Sequence, residues 1–103
     1  MPNVLIIDDS DEVRSFVVST LTQFGYSTRE ATGGSAGIQM ALAQPPDLIL
    51  CDVRMPGLDG YRTLAAVRDE PSVANTPFIF LTSAMDKSDI RRGMALGADV
   101  YLT

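Results

Sequence analysis

The feature that most constrains the fold is a set of three short apolar runs, each followed by polar residues. The runs are residues 4–7, Leu48–Cys51 and Phe78–Leu81. Four apolar residues in succession suit a parallel strand that is covered on both faces, whereas a strand with one solvated face alternates apolar and polar residues. The three runs therefore predict the central strands of a parallel sheet.

Two further segments complete a predicted sheet of five strands. Residues 26–31 are too polar for a strand covered on both faces, which favours a position at the edge of the sheet. Residues Val100–Leu102 form a short fifth candidate.

Four helices are predicted between these strands. An apolar stripe at helical spacing runs from Val13 to Phe24 and stops at Gly25. A segment rich in small residues, Gly34–Ala43, precedes two prolines that cannot continue a helix. A third helix is predicted from Tyr61 to the residues before Pro71, and a fourth over residues 87–96.

The alternation of strands and helices predicts an α/β domain with right-handed crossovers. Placing the polar second strand at the edge gives the order 2-1-3-4-5, which is a doubly wound, flavodoxin-like sheet. In such a sheet the first and third strands are neighbours, and ligands bind outside the carboxyl ends of the strands.

Composition narrows the classes of function. The 103 residues suffice for one domain, and a net charge of -5 without a basic cluster argues against direct binding of nucleic acid. No apolar stretch reaches the roughly 20 residues that span a membrane, and the start lacks the basic residues of a secretory signal, so we expect a cytoplasmic protein. Cys51, the single cysteine, lies in an apolar run and predicts a small core residue rather than a reactive thiol.

The candidate site lies where the central strands end. Asp8 and Asp9 follow the first run, Asp52 follows the second and Thr82 follows the third. Converging carboxylates repel one another unless a cation or a proton neutralises them. Because the chain contains no histidine, this donor set favours Mg²⁺ or Mn²⁺ over zinc, and a carboxylate there could also accept a phosphoryl group.

Each acidic residue also has a purely structural interpretation. Asp9 and Glu12 have the spacing of a capping box at a helix start. Asp52 could form a turn before Pro56 and Gly57. Capping and turn formation do not, however, require polar residues at the equivalent ends of three central strands.

The chain resembles the receiver domain of two-component response regulators over its whole length. The resemblance is carried by residues 4–9, 46–60, 77–83 and 97–103, and above all by an acidic pair upstream of a strand-Asp-x-x-Met-Pro-x-x-Asp-Gly segment.

The resemblance implies a signalling module rather than a turnover enzyme. Asp52 would be the phosphoacceptor, supplied by a sensor histidine kinase, a phosphotransfer protein or a small acyl phosphate. Asp9, Asp52 and the backbone carbonyl of Arg54 would hold Mg²⁺, and Asp8 would reach it through water. Thr82 would hydrogen-bond the phosphoryl group, and the ring of Tyr101 would turn inward to change the surface of the fourth helix and fifth strand.

The chain departs from the family pattern at its end. Receiver domains typically continue after the threonine that matches Thr103 with a lysine, a proline and a fifth helix, so residues 1–103 are interpreted as a receiver domain without its last helix, to which an output domain could be joined. We expect apolar area to be exposed beside the helix that starts near Val13, which favours dimerisation, strand exchange or marginal stability.

Two alternatives to phosphoacceptance stay open. One is a receiver-like interaction module that is not phosphorylated, which the absence of the family lysine favours. The other is a Mg²⁺-dependent phosphohydrolase similar to haloacid dehalogenase-like enzymes. Those enzymes carry a second aspartate two residues after the nucleophile, where this chain has Arg54.

Overall fold

Five parallel strands form a single sheet in the computed structural model, which describes residues 2–81, Arg91, Ala95 and the backbone of residues 100–102. The strands and helices in chain order are β1 (Asn3–Ile7), α1 (Asp11–Gln23), β2 (Ser27–Ala31), α2 (Gly34–Ala43), β3 (Leu48–Cys51), α3 (Gly60–Asp69), β4 (Phe78–Leu81) and β5 (Val100–Leu102). The fourth helix predicted over residues 87–96 lies outside the described residues except for Arg91 and Ala95, which are helical.

The strand order is β2-β1-β3-β4-β5, and this confirms the predicted flavodoxin-like topology. β1 pairs with β3 in a register that sets Ile7 opposite Cys51. Because both strands run in the same direction, the residues that follow them, Asp8 and Asp52, leave the sheet side by side. The apolar composition of β1 and β3 is explained by their central position between two covered faces.

The core is divided by the sheet into a larger and a smaller part. On one face, Leu5, Ile49 and Phe80 belong to a buried cluster that also includes Leu64 and Val67 of α3. On the other face, the buried residues are Val4, Ile6 and Leu50, against which Val17, Val18 and Leu21 of α1 pack while partly exposed. α2 and α3 therefore cover their face closely, and α1 covers the opposite face loosely.

The apolar stripe predicted for α1 is only partly directed at the sheet. Val17 and Leu21 pack on it, but Phe16 is 73% exposed and Phe24 is 76% exposed. None of the residues of α1 is fully buried. These two side chains lie on the helix and at its end, whereas the sheet residues beneath it, Val4, Ile6 and Leu50, are buried. The exposure of the sheet face expected from a missing last helix stays a prediction.

The purely structural interpretation of Asp9 and Glu12 as a capping box is not what the structure shows. The residue that caps α1 is Ser10, whose Oγ accepts a hydrogen bond from the backbone N–H of Val13 at 3.2 Å. Asp9 is left outside the cap, and its carboxylate is available to the site described below.

Among the described residues, no helix has the length and apolar character needed to cross a membrane.

Candidate functional site

The backbone at the end of the central strands is held by hydrogen bonds that extend the sheet by one residue. The N–H of Asp8 donates to the carbonyl of Ala31 at 3.1 Å, and the N–H of Asp52 donates to the carbonyl of Ile7 at 2.9 Å. Both aspartates are therefore fixed by main-chain contacts to a neighbouring strand. Such anchoring limits how far their side chains can separate.

Three aspartates form a compact acidic cluster at this edge. One carboxylate oxygen from each of Asp8, Asp9 and Asp52 lies within 4.8 Å of the other two. Asp8 is 4% exposed, Asp52 is half-buried and Asp9 is exposed to solvent. The cluster is thus closed off from solvent at Asp8 and open to solvent at Asp9, and we call this open side its mouth.

Two of these carboxylates are oriented by the backbone immediately after them. Oδ1 of Asp8 accepts from the N–H of Ser10 at 2.9 Å, and Oδ1 of Asp52 accepts from the N–H of Val53 at 2.8 Å. These turns hold the side chains near their own strand ends. The N-cap residue of α1, Ser10, therefore also supports the site.

The electrostatic setting of the cluster opposes ionisation. Burial raises the pKa of Asp52, the charge of Asp8 raises it further, and the backbone N–H groups of Val53 and Arg54 act in the opposite direction. Burial also raises the pKa of Asp8. The hydrogen bond from the backbone N–H of Ser10 lowers this pKa, and the charge of Asp9 raises it. A divalent cation bound among these carboxylates would relieve the repulsion that raises both pKa values.

The donor set fits Mg²⁺ or Mn²⁺. It consists of carboxylate oxygens, which are the ligands that hard divalent ions prefer, and the open mouth at Asp9 leaves room for water or phosphate oxygens. Arg54, whose backbone carbonyl is a predicted ligand, lies two residues beyond Asp52 in an exposed part of the same loop. Its role as a ligand stays a prediction.

The loop after Asp52 is packed against the start of α3. Asp59 caps this helix by accepting from the N–H of Arg62 at 2.9 Å, and the N–H of Gly60 donates to the carbonyl of Val53 at 2.8 Å. A Cβ atom on Gly60 would lie 2.3 Å from the backbone oxygen of Asp52. The absence of a side chain at Gly60 therefore permits α3 to support the residue at the centre of the site.

The remaining predicted site residues are placed only in part. Thr82 lies outside the described residues. The backbone of Tyr101 lies in β5 opposite Phe80, which puts it on the strand next to β4. The roles proposed for both side chains stay predictions.

Cys51 is a buried free cysteine, as its position in an apolar run predicts. Burial raises the pKa of its thiol well above the ordinary value, and the nearby carboxylates of Asp52, Asp8 and Asp59 raise it further. A thiol that resists ionisation is a poor nucleophile and a poor metal ligand. Cys51 thus packs beneath the site without joining its chemistry.

Two residues support the site through contacts that the sequence does not reveal, Arg14 and Gly60. The guanidinium Nη1 of Arg14 donates to the backbone carbonyl of Asp8 at 2.8 Å. No sequence pattern distinguishes a charged helix residue that binds a backbone carbonyl from one that only faces solvent. Gly60 ends the Asp-x-x-Met-Pro-x-x-Asp-Gly segment, so the sequence marks its position but not the close approach to Asp52 that requires a glycine.

Comparison with known proteins decides the family of this chain. Residues 4–103 match the model of the response regulator receiver domain. The chain belongs to this family. Its fold, its strand order and the acidic edge of its sheet are those of a receiver domain.

Curated relatives of this receiver domain include regulators and a kinase. It is 35% identical over 102 residues to the transcriptional regulatory protein AfsQ1 of Streptomyces coelicolor, covering 99% of this chain and 44% of AfsQ1. It is 38% identical over 102 residues to the sensor histidine kinase CheAY of Helicobacter pylori, covering 97% of this chain and 13% of that protein. The receiver domain thus spans less than half the length of either relative.

The same fold occurs in solved structures. The chemotaxis protein CheY4 of Vibrio cholerae superposes with a TM-score of 0.95 at 33% identity, and the match covers 99% of this chain and 85% of CheY4. A receiver domain is a signalling module and, in general, not a turnover enzyme.

Proposed function

We propose that this receiver domain accepts a phosphoryl group on Asp52 with the help of Mg²⁺ or Mn²⁺ and thereby acts as a switch in a two-component phosphorelay. The observation that carries the proposal is the acidic cluster, in which carboxylate oxygens of Asp8, Asp9 and Asp52 lie within 4.8 Å of one another. Membership of the receiver family supports the same conclusion independently.

Asp52 is the residue suited to be the nucleophile. It is half-buried at the end of a central strand, and its Oδ1 is held by the N–H of Val53 at 2.8 Å. One of its carboxylate oxygens attacks phosphorus, the bond from phosphorus to the donor nitrogen or oxygen breaks, and the donor leaves with the electron pair. The product on Asp52 is an aspartyl phosphate.

The other two aspartates would provide the cation site. Asp9 and the carbonyl of Arg54 would join Asp52 in holding Mg²⁺, while buried Asp8 would act through water. The bound cation supplies neutralisation of the charge that phosphoryl transfer develops, since such a transfer requires mainly positioning and electrostatic stabilisation. Asp8 and Asp9 in turn position the cation site beside the nucleophile.

The phosphoryl donor is proposed to be a sensor histidine kinase or a phosphotransfer protein. The relatives support this assignment, because one is a sensor histidine kinase and another a transcriptional regulator. Since the chain spans 44% of AfsQ1, an output domain joined after residue 103 is part of the proposal. Signalling would pass through Thr82 and Tyr101 to the surface around β5.

Intact-mass spectrometry after incubation with Mg²⁺ and a small acyl phosphate tests this function. We expect one added phosphoryl group on the wild type and none on Asp52→Asn. The matched control is Asp59→Asn, in the same loop. Asparagine is also a good N-cap, so this variant keeps the start of α3 and should still be phosphorylated.

The other outcomes identify the alternatives. An adduct on the wild type that survives in Asp52→Asn contradicts Asp52 as the acceptor. Multiple turnover of phosphate esters indicates a phosphohydrolase. A wild type that forms no adduct contradicts phosphoacceptance and favours an interaction module.

A further inference from the structure

We infer that Arg14 is a positioning residue of the cation site, acting through the backbone of Asp8. The inference rests on the proposed function, because it assigns a role toward the Mg²⁺ that the acidic cluster would hold. It concerns a residue that touches neither the cation nor the phosphoryl group.

The guanidinium of Arg14 lies at the junction of three elements. Its Nη1 donates to the carbonyl of Asp8 at 2.8 Å, just beyond β1. Its Nε donates to Oε1 of Glu30 in β2 at 3.2 Å, and its Nη2 donates to Oδ1 of Asp11 in the first turn of α1. The side chain is 11% exposed, which is low for an arginine that forms ion pairs at a protein surface.

The contact with Asp8 fixes the turn from which two of the three carboxylates project. The Asp8 N–H is bound to Ala31 of β2, and the Asp8 Oδ1 is bound to the N–H of Ser10. Arg14 adds the third restraint by binding the remaining main-chain group of Asp8. Since Asp9 follows directly, a shift of this peptide would move both Asp8 and Asp9 relative to Asp52.

A charge-assisted hydrogen bond holds the backbone of Asp8 in place more specifically than apolar packing alone would. Arginine presents several N–H groups in a rigid plane, so one side chain can bind Asp8, Glu30 and Asp11 at fixed relative positions. Lysine has a single ammonium group on a flexible stem and cannot reproduce all three contacts. Groups that orient the ligands of a metal typically change its affinity by about 10- to 100-fold when they are removed.

Arg29 provides a matched control within the same sheet. Its guanidinium also binds main-chain carbonyls, donating to Gln44 O at 2.6 Å and to Met40 O at 3.3 Å. It also donates to Oδ1 of Asn3, at the start of β1 and therefore at the opposite end of the sheet from the acidic cluster. Loss of Arg29 should thus weaken the fold without altering the cation site.

The test is titration with Mn²⁺, followed by the loss of the free-ion EPR signal, on the wild type, Arg14→Met, Arg14→Lys and Arg29→Met. We expect Arg14→Met to weaken Mn²⁺ binding about tenfold. Arg14→Lys should restore part of the affinity, and Arg29→Met should bind like the wild type. Thermal melts in EDTA measure the loss of stability in each variant separately.

Each other outcome overturns the inference. Unchanged affinity in Arg14→Met, or equal weakening in Arg14→Met and Arg29→Met, shows that Arg14 has no specific effect on the site. If Arg14→Met does not fold, the double variant Glu30→Gln/Asp11→Asn removes both charges that anchor Arg14, and unchanged Mn²⁺ affinity there contradicts the inference. A wild type that binds no Mn²⁺ overturns the cation site itself, and this result is distinct from the failure of the Arg14 role alone.

Discussion

Gly60 leaves no room for a side chain beside Asp52. A Cβ atom there would lie 2.3 Å from the backbone oxygen of Asp52 and 2.8 Å from Cα of Val53. Both atoms are main chain, so they cannot move aside without moving the loop that carries Asp52. The start of α3 and the candidate phosphoacceptor are therefore coupled through the missing side chain.

Gly60→Ser should destabilise the domain by about 1–3 kcal/mol, the usual effect of overpacking a closely packed position. Urea unfolding measures the change. The control is Gly33→Ser, because nothing lies within 4 Å of a Cβ there and Gly33 is the N-cap of α2, where serine is favoured. Equal stability of Gly60→Ser and the wild type would contradict the packing argument.

The acidic cluster could be predicted from sequence, but the contacts that support it could not. Asp8, Asp9 and Asp52 directly follow apolar runs, and the strand order brings those strand ends together. The contact of Arg14 with the carbonyl of Asp8, by contrast, depends on the direction in which α1 leaves β1. Pattern and spacing locate strand ends, while such a contact requires the three-dimensional path of the loop.

Among the elements, the helices on the two faces of the sheet differ in how firmly they are packed. α3 buries Tyr61, Leu64 and Val67 against the larger part of the core. α1 has no fully buried residue and turns Phe16 toward solvent. The stability contributed by apolar side chains should follow this difference, because it depends on the area removed from water.

Alanine substitutions on the two helices measure this difference. Leu64 is 0% exposed, so Leu64→Ala should lower the free energy of unfolding by about 2–5 kcal/mol. Phe16 is 73% exposed, so Phe16→Ala should change it by less than about 0.5 kcal/mol. Both values come from urea unfolding at low protein concentration. A large loss in Phe16→Ala would show that this side chain is covered in solution, as in a dimer.

The elements themselves were predictable to different degrees. The bounds predicted for α2, β3, β4 and β5 coincide with those observed, because prolines, glycines and changes of polarity mark their ends. The direction of the α1 stripe was less predictable. A stripe that runs from Val13 to Phe24 at helical spacing is compatible with more than one orientation of the helix, and packing on the sheet selects Val17 and Leu21.

For the molecule as a whole, the acidic cluster links folding to both pH and cations. The folded protein raises the pKa of Asp8 and Asp52, so it binds their protons more tightly than the unfolded chain does. The resulting contribution to stability is fully present below the ordinary aspartate pKa and is lost as the pH rises through the raised values. At neutral pH the metal-free cluster therefore works against folding.

Comparison of the wild type with Asp8→Asn isolates this linkage, since asparagine does not titrate. Without metal, we expect the wild type to become progressively less stable than Asp8→Asn as the pH rises from acid to neutral. Mg²⁺ at ten times its dissociation constant should add about 1.4 kcal/mol to the wild type by mass action and less to the variant. Urea unfolding at a series of pH values, in EDTA and in Mg²⁺, measures both effects. A stability difference that does not change with pH in EDTA would contradict the raised pKa of Asp8. An equal gain in stability from Mg²⁺ in both proteins would show that Asp8 does not contribute to the cation site.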